Sequence, residues 1–286
     1  MNLDLVAKSA SKLFTLPEIC IKLQDLIYNP DSSMADIAQL ISIDPSLSAR
    51  LLKIANSSFY SLPSQIDSLS RAITLIGTQD LYNLALATST PDTFSALNDN
   101  EHIDIHRYWR HSVTTGLISR LLAQDLTMRH LEAFFLAGLF HNLGKLVILE
   151  QFPDEYLAVK QAQDPETQPW IIEKRVLGYT YAQVGEALLK NWQMPTHLQD
   201  MVAHQHKPNE AMDPKAVSLL HIASRAASQL EYMPQLGFDF HQAIIPEAWS
   251  LTGLVEEQMQ VAISVAQSNC HAMMSVMKLV PLPDNS

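Results

Sequence analysis

The chain has 286 residues, of which 47% are hydrophobic and 17% are charged, as expected for a soluble globular protein with a substantial core. Its 19 lysines and arginines against 30 aspartates and glutamates give a formal net charge of −11, and the basic residues are scattered. Because such a surface repels phosphate backbones, general nucleic-acid binding is excluded.

Helical periodicity and capping signals dominate the first 90 residues. Ser33 is placed to cap one helix. Asp44 is a good N-cap residue and is followed by Pro45 at the first helical position, which predicts a second helix ending near Asn56. The other helices predicted in this part of the chain span about Ser68–Ile76 and Thr78–Thr88.

The polar stretch Thr90–Asn100 contains Pro91 and is typical of a linker. We place a boundary there, between an N-terminal helical lobe (1–95) and a second lobe (96–286). Long helices are predicted in the second lobe at about Ile103–Gln124, His130–Glu150, Pro153–Gln163, Pro169–Leu177 and Thr180–Lys190, then from Pro195, from Pro214 and from Gly253 to Met277. With little strand-like alternation and no internal repeat, the predicted fold class is all-α.

Cysteine content and apolar runs indicate the compartment. Cys20 and Cys270 form no paired motif, which fits a reducing environment. Residues 1–11 lack the basic and apolar regions of a signal peptide, and the apolar run Ala133–Phe140 is too short to cross a membrane. We therefore expect a cytoplasmic protein that does not span a membrane.

Two histidines stand where solubility does not require them. His141 lies in an apolar predicted helix and shares a facet with small residues, Ala137, Gly138 and Gly144, which leave room for an ion, a ligand or a closely packed helix. His111 lies on a helix that is apolar on two faces and is therefore central. Two inward histidines would make half of a metal site, but each could equally be a core histidine hydrogen-bonded to a backbone carbonyl.

A series of short motifs carries a family resemblance. They are residues 44–60 (DPSLSARLLKIANSSFY), 72–77 (AITLIG), 109–112 (WRHS), 141–145 (HNLGK), 173–178 (EKRVLG), 184–185 (VG), 192–195 (WQMP) and His204. In this order, over about residues 10 to 230, the chain resembles the HDOD domain family. The resemblance implies a bacterial regulatory module in which the N-terminal lobe packs on an HD-like helical lobe with a C-terminal helical extension.

HDOD domains are similar to the HD superfamily of metal-dependent phosphohydrolases. In those enzymes histidines and aspartates from neighbouring helices hold metal ions that activate water. Carried over by position, the resemblance implies that His111, His141 and His204 are retained metal-binding histidines. Asn142 takes the place of the aspartate paired with the central histidine.

Other substitutions further weaken this remnant site. Tyr181 and Gln205 stand where histidines are expected, and Ser224 stands where a second aspartate is expected. Since an amide oxygen is a much weaker ligand than a carboxylate, little remains to offset the charge of a dication or to activate its bound water. We assign no catalytic residue and expect no cofactor, although three converging imidazoles could hold a single adventitious Zn²⁺ or Ni²⁺ ion.

Three further residues are candidates for ligand binding. In the related enzymes a lysine after the His-Asp pair lies near the phosphate site, so Lys145 indicates a vestigial anion pocket; the alternative is a lysine whose stem packs while its amine reaches solvent. His221 and Arg225 belong to a polar stripe on one predicted helix. The stripe either lines a cleft or is the solvated face of the helix.

The resemblance favours a non-catalytic signal-transduction module that acts through protein–protein contact or through ligand sensing in a vestigial HD-type cleft. The alternative is a metal-dependent phosphohydrolase or phosphodiesterase that acts on a nucleotide or cyclic dinucleotide. The partners expected are signalling proteins, a nucleotide-type ligand and a second copy in a homodimer, with no nucleic acid and no membrane.

Overall fold

The computed structural model describes residues 3–57, 60, 65–164, 167–232 and 244–279. Within those residues all regular structure is helical, which confirms the predicted all-α class. The first helices are α1 (Leu3–Leu13), α2 (Glu18–Tyr28), α3 (Met34–Ser42), α4 (Pro45–Ala55), α5 (Leu69–Ile76) and α6 (Thr78–Thr93).

The helices that carry the site follow residue 100. They are α7 (Ile105–Asp125), α8 (Leu131–Phe140), α9 (Leu143–Gln151), α10 (Pro153–Gln161), α11 (Pro169–Leu177), α12 (Tyr181–Asn191), α13 (Thr196–Ala203) and α14 (Pro214–Tyr232). Two more described helices span Pro246–Thr252 and Glu256–Val276.

The predicted caps are confirmed. Ser33 accepts from the backbone N–H of Asp36 in a reciprocal capping box at the start of α3. Asp44 accepts from two backbone N–H groups at the start of α4, with Pro45 in the first turn. Gly77, at a φ of 95°, ends α5, so the local chemistry of these residues sets the helix boundaries.

Two predicted boundaries are wrong. The single helix expected over His130–Glu150 is broken at residues 141 and 142 into α8 and α9. In the predicted linker, α6 continues to Thr93 with Pro91 inside it, and Thr88–Pro91 is buried. Burial of this stretch in the core overrides its polar composition, whereas the 95/96 lobe boundary itself stays a prediction.

A continuous apolar core joins the first helices to the later ones. The indole N–H of Trp192, after α12, donates to the Phe14 carbonyl at 2.8 Å. The Gln24 side chain of α2 donates to the Gln193 carbonyl at 3.0 Å. These long-range hydrogen bonds fix α1 and α2 against the part of the molecule that carries the histidines.

Helix α7 lies at the centre of the second half, in contact with α8, α14 and the helix Glu256–Val276. A Cβ atom on Gly138 would lie 2.4 Å from the Cα atom of Gly116, so the backbones of α7 and α8 touch where they cross. One turn further along α7, Arg120 donates to Glu132 of α8 at 2.9 Å, and both side chains are buried. Glycine contact and an ion pair thus fix the crossing.

The stretch Leu131–Gln151 is apolar and long enough to cross a membrane if it is taken as one helix. However, 83% of its most apolar window is buried inside the protein, and the stretch is interrupted between α8 and α9. Its apolar character is therefore explained by its place in the core of the helical fold.

Candidate functional site

The two histidines singled out in the sequence meet in the structure. His111 lies in α7 and His141 is the residue that ends α8. Their Nε2 atoms are 3.2 Å apart and their ring centroids 5.1 Å apart. The predicted convergence of His111 and His141 is thus present, and the hydrogen-bonded pair forms the centre of the candidate site.

Close backbone contacts on either side place His141. Gly138, three residues before it, lies against Gly116 of α7. Gly144, three residues after it, lies so close to α12 that a Cβ atom there would be 2.0 Å from the Tyr181 carbonyl oxygen. Because α8 and α9 must each approach a different helix, the chain breaks between them and turns the His141 ring toward α7.

His141 is buried and fully hydrogen-bonded within this break. Its Nδ1 donates to the Gly138 carbonyl at 2.6 Å, and its own carbonyl accepts from Nε2 of Gln205 at 2.7 Å. Burial, with a smaller contribution from the charge of His111, lowers the pKa of His141 to about 3. At neutral pH its imidazole is uncharged, and Nε2 is left as a hydrogen-bond acceptor.

The other nitrogen of His111 faces a carboxylate. Its Nδ1 lies 3.3 Å from Oε2 of Glu231 in α14, and Oε1 of the same carboxylate accepts from Nε of Arg107, one turn before His111 in α7. Burial raises the pKa of Glu231, but the contacts with His111 and Arg107 outweigh it and hold the pKa below its ordinary value. We call Arg107, Glu231 and His111 the Glu231 bridge.

Lys145, on α9, lies beside a buried carboxylate. Burial lowers the pKa of its amine, and Glu173 and Glu231 oppose that shift. Glu173 Oε2 accepts from the backbone N–H of Tyr181 at 2.8 Å, at the start of α12. Burial nevertheless raises the pKa of Glu173 to about 7. Lys145 is therefore half-buried among acidic groups rather than extended into solvent.

His221 and Arg225 lie on the inner face of α14, where the predicted polar stripe faces α11. The Nδ1 of His221 donates to the Gln205 carbonyl at 2.8 Å, and its Nε2 accepts from the backbone N–H of Ile245 at 3.4 Å. Both nitrogens of His221 thus bond to backbone, which gives it a packing role in this conformation. The Arg225 guanidinium lies 5.7 Å from the centroid of the Trp170 ring.

The structure brings His206, rather than His204, toward the centre. The His206 ring stacks on Trp170 with centroids 4.3 Å apart, and burial together with the nearby His221 and His141 lowers its pKa well below the usual value. His204 instead pairs with Asp200 at 2.8 Å, with a third of its side chain exposed. The structure therefore does not place His204 with the other two predicted ligands.

The resemblance to metal-dependent hydrolases can be tested against these donors. Two imidazole nitrogens on one tetrahedral zinc would be roughly 3.3 Å apart, close to the distance between His111 and His141. However, in the part of the chain that the structure describes, no group of three or more His, Cys, Asp or Glu residues could hold a metal ion. Asn142 offers only an amide at the start of α9. Among the described residues, the donors beside His111 and His141 thus lack the paired aspartate that the resemblance to those hydrolases implies.

Sequence reasoning missed four residues of this region: Arg107, Trp170, His206 and Glu231. Arg107 is one turn before His111 on the same helix, so helical spacing is a signal that could have found it. Glu231 and Trp170 come from helices distant in sequence, and no local pattern marks them. His206 lies two residues from the predicted His204, in a turn where helical periodicity no longer applies.

Comparison with solved structures identifies proteins that share this fold. A proposed phosphohydrolase of Shewanella amazonensis SB2B has a TM-score of 0.71 and 24% identity, with 96% of this chain and 97% of that one covered. An HDOD domain protein of unknown function from Geobacter sulfurreducens has a TM-score of 0.70 and 21% identity, with 98% of both chains covered. A proposed signal transduction protein of Marinobacter aquaeolei VT8 has a TM-score of 0.66 and 22% identity, with 97% of this chain and 65% of that chain covered. At these identities the likeness concerns the fold alone.

Sequence comparison identifies the family. An uncharacterized protein of Treponema pallidum (strain Nichols) is 26% identical over 207 residues, which are 71% of this chain and 40% of that relative. The chain thus corresponds to less than half of the length of this curated relative. The model of the HDOD domain matches residues 13–208, a span that contains α2 to α13 and both central histidines. The chain belongs to the HDOD domain family.

Proposed function

We propose that this chain is a non-catalytic signal-transduction module of the cytoplasm, which acts through protein–protein contact or through ligand sensing at the vestigial HD-type site around His111 and His141. The bonding of this histidine pair carries the proposal. The Nε2 atoms face each other at 3.2 Å, while each Nδ1 faces an acceptor, Gly138 or Glu231. The groups that would hold a metal in a hydrolase are here engaged with one another.

The two residues of the central motif, His141 and Asn142, are also poorly suited to proton transfer. A general base works best when its pKa lies near the operating pH. The pKa of His141 is about 3, so it is a weak base at neutral pH, and Asn142 has no titratable group. These features support a role in which the cleft recognises a molecule without cleaving it.

The solved structures that share the fold include one proposed phosphohydrolase and one proposed signal transduction protein. The chemistry of the site, rather than those names, favours the second kind of role here. Its partners would be signalling proteins, a nucleotide-type ligand and a second copy of the chain.

Metal analysis of the purified protein combined with turnover assays tests the proposal. We expect less than stoichiometric metal and no metal-dependent hydrolysis of nucleotides or cyclic dinucleotides. Stoichiometric manganese or iron with metal-dependent turnover would instead establish the phosphohydrolase alternative. The double variant Asn142→Asp/Tyr181→His is the matched comparison, and we expect it to retain more metal than the native sequence because it restores an anionic ligand and an imidazole.

A further inference from the structure

The Glu231 bridge places one carboxylate between two nitrogen-bearing side chains of one helix, Arg107 and His111. One carboxylate oxygen of Glu231 accepts from Nε of Arg107, and the other lies 3.3 Å from Nδ1 of His111. Arg107 and His111 are four residues apart and therefore project from the same face of α7. Together they form a two-pronged donor, the kind of arrangement that binds carboxylate or phosphate oxygens.

The hydrogen bonds of the pair orient His111. His141 donates through Nδ1 to the Gly138 carbonyl, so its Nε2 accepts from Nε2 of His111. The remaining nitrogen of His111, Nδ1, lies 3.3 Å from the Glu231 carboxylate. The geometry thus presents Nδ1 of His111 and Nε of Arg107 to the same carboxylate.

We propose that Arg107 and His111 form an anion-binding site that Glu231 occupies from within the chain, and that a phosphate-bearing ligand binds there by displacing Glu231. This inference rests on the proposed ligand-sensing role and names the class of ligand. Phosphate oxygens present the same hydrogen-bond acceptors as the carboxylate and carry more negative charge. The amine of Lys145 also interacts electrostatically with Glu231.

The position of Glu231 makes the exchange feasible. Arg107 is 40% exposed whereas the Glu231 and His111 side chains are 10% exposed, so a ligand reaches the site past Arg107. The contact between Glu231 and Arg107 is one of those that join α14 to α7. Displacement of Glu231 would remove this contact and so change the surface offered to a partner.

Calorimetric titration with inorganic phosphate, and in parallel with adenosine monophosphate, tests the site. Because Glu231→Gln removes the competing charge, we expect this variant to bind the probes at least about tenfold more tightly than the native protein. The variant Glu150→Gln removes an exposed carboxylate from α9 and controls for net charge. A tighter complex with the nucleotide than with phosphate would identify a nucleotide ligand, and equal affinities would identify the phosphate group as sufficient.

The double variant Arg107→Gln/Glu231→Gln separates a site from a general electrostatic effect. We expect it to lose the gain in phosphate affinity shown by Glu231→Gln, since the Arg107 guanidinium is missing. Equal binding by the native protein and Glu231→Gln, or an undiminished gain in the double variant, overturns the proposal. If circular dichroism shows that Glu231→Gln does not fold, the test is made on the native protein instead. In that case phosphate must shift the nitrogen resonances of the His111 ring, and unchanged resonances count against displacement.

These outcomes are independent of the hydrolase question. Metal-dependent turnover would refute the non-catalytic role, irrespective of the phosphate affinity of Glu231→Gln. Unchanged phosphate affinity in Glu231→Gln would refute the anion site but would not affect the non-catalytic role.

Discussion

The two ends of α7 carry ion pairs that differ in burial. Near its C-terminal end, Arg120 and Glu132 are 6% and 2% exposed. Near its start, Arg107 and Glu231 are 40% and 10% exposed. Both pairs join α7 to a neighbouring helix, α8 in the first case and α14 in the second. The same kind of contact therefore occurs in two very different dielectric environments.

Burial decides what each pair can do. A buried ion cannot exchange its partner for water without a penalty of several kcal/mol, so the contact between Arg120 and Glu132 is permanent in the folded protein. In the second pair the arginine is 40% exposed and the carboxylate 10% exposed, so solvent screens the interaction from one side and reduces its contribution to stability. The difference fits a structural role for one end of α7 and the proposed recognition role for the other.

The largest effect should follow from breaking the buried pair. The substitution Glu132→Leu leaves Arg120 charged and buried without its carboxylate, and we expect it to lower the free energy of unfolding by about 3–5 kcal/mol. Urea unfolding followed by circular dichroism measures the change. The double variant Arg120→Met/Glu132→Leu removes both charges and should recover most of the loss. A double variant no more stable than Glu132→Leu would mean that packing, rather than charge, dominates here.

A third buried carboxylate, that of Glu173, can be compared with these two ion pairs because its cationic neighbour is a lysine, Lys145. Burial raises the pKa of Glu173 from 4.5 to about 7, even though Lys145 and the backbone N–H of Tyr181 oppose the shift. The folded protein thus holds this proton more tightly than the unfolded chain. The resulting stabilisation is complete below pH 4.5 and is lost as the pH rises through 7, by up to about 3 kcal/mol.

Glu173→Gln tests this prediction, since glutamine keeps the shape of the side chain but cannot ionise. Between pH 5 and pH 8, the native protein should lose more unfolding free energy than the variant does. Parallel stability curves for the two proteins would show that Glu173 is already ionised at the lower pH.

The smallest effect on stability should come from Glu231→Gln. Because Arg107 is 40% exposed, solvent replaces much of the lost interaction, and we expect a change of at most about 1 kcal/mol in the free energy of unfolding. Thermal and urea unfolding check this alongside the phosphate titration. A loss as large as that of Glu132→Leu would place both ends of α7 in the same structural class and remove the basis for a recognition role.

The sequence predicts most of this fold because many boundaries are local. The caps at Ser33, Asp44 and Gly77 depend on residues within one turn, and these helices begin and end close to where they are predicted. The break at residues 141 and 142 is different. It arises because Gly138 and Gly144 contact two separate helices, and neither contact is visible in an apolar stretch with uniform helical periodicity.

The candidate site is predicted only in part, for the same reason. His111 and His141 are recognisable from family motifs and from their place on central helices, and they do meet. The carboxylate that contacts His111, Glu231, follows it by 120 positions, so only the packing of α14 on α7 brings it there. The choice between His204 and His206 depends on the turn after α13, where each residue points in a direction that helical spacing does not give.

The contact between Gly116 and Gly138 has a mechanical consequence. With no side chain between the two backbones, α7 lies directly against α8 near its midpoint, and the buried Arg120–Glu132 pair holds the same crossing one turn later. The C-terminal half of α7 is therefore clamped to α8. Any rearrangement that follows a change at Glu231 is expected in the N-terminal half, where Arg107 and His111 meet α14.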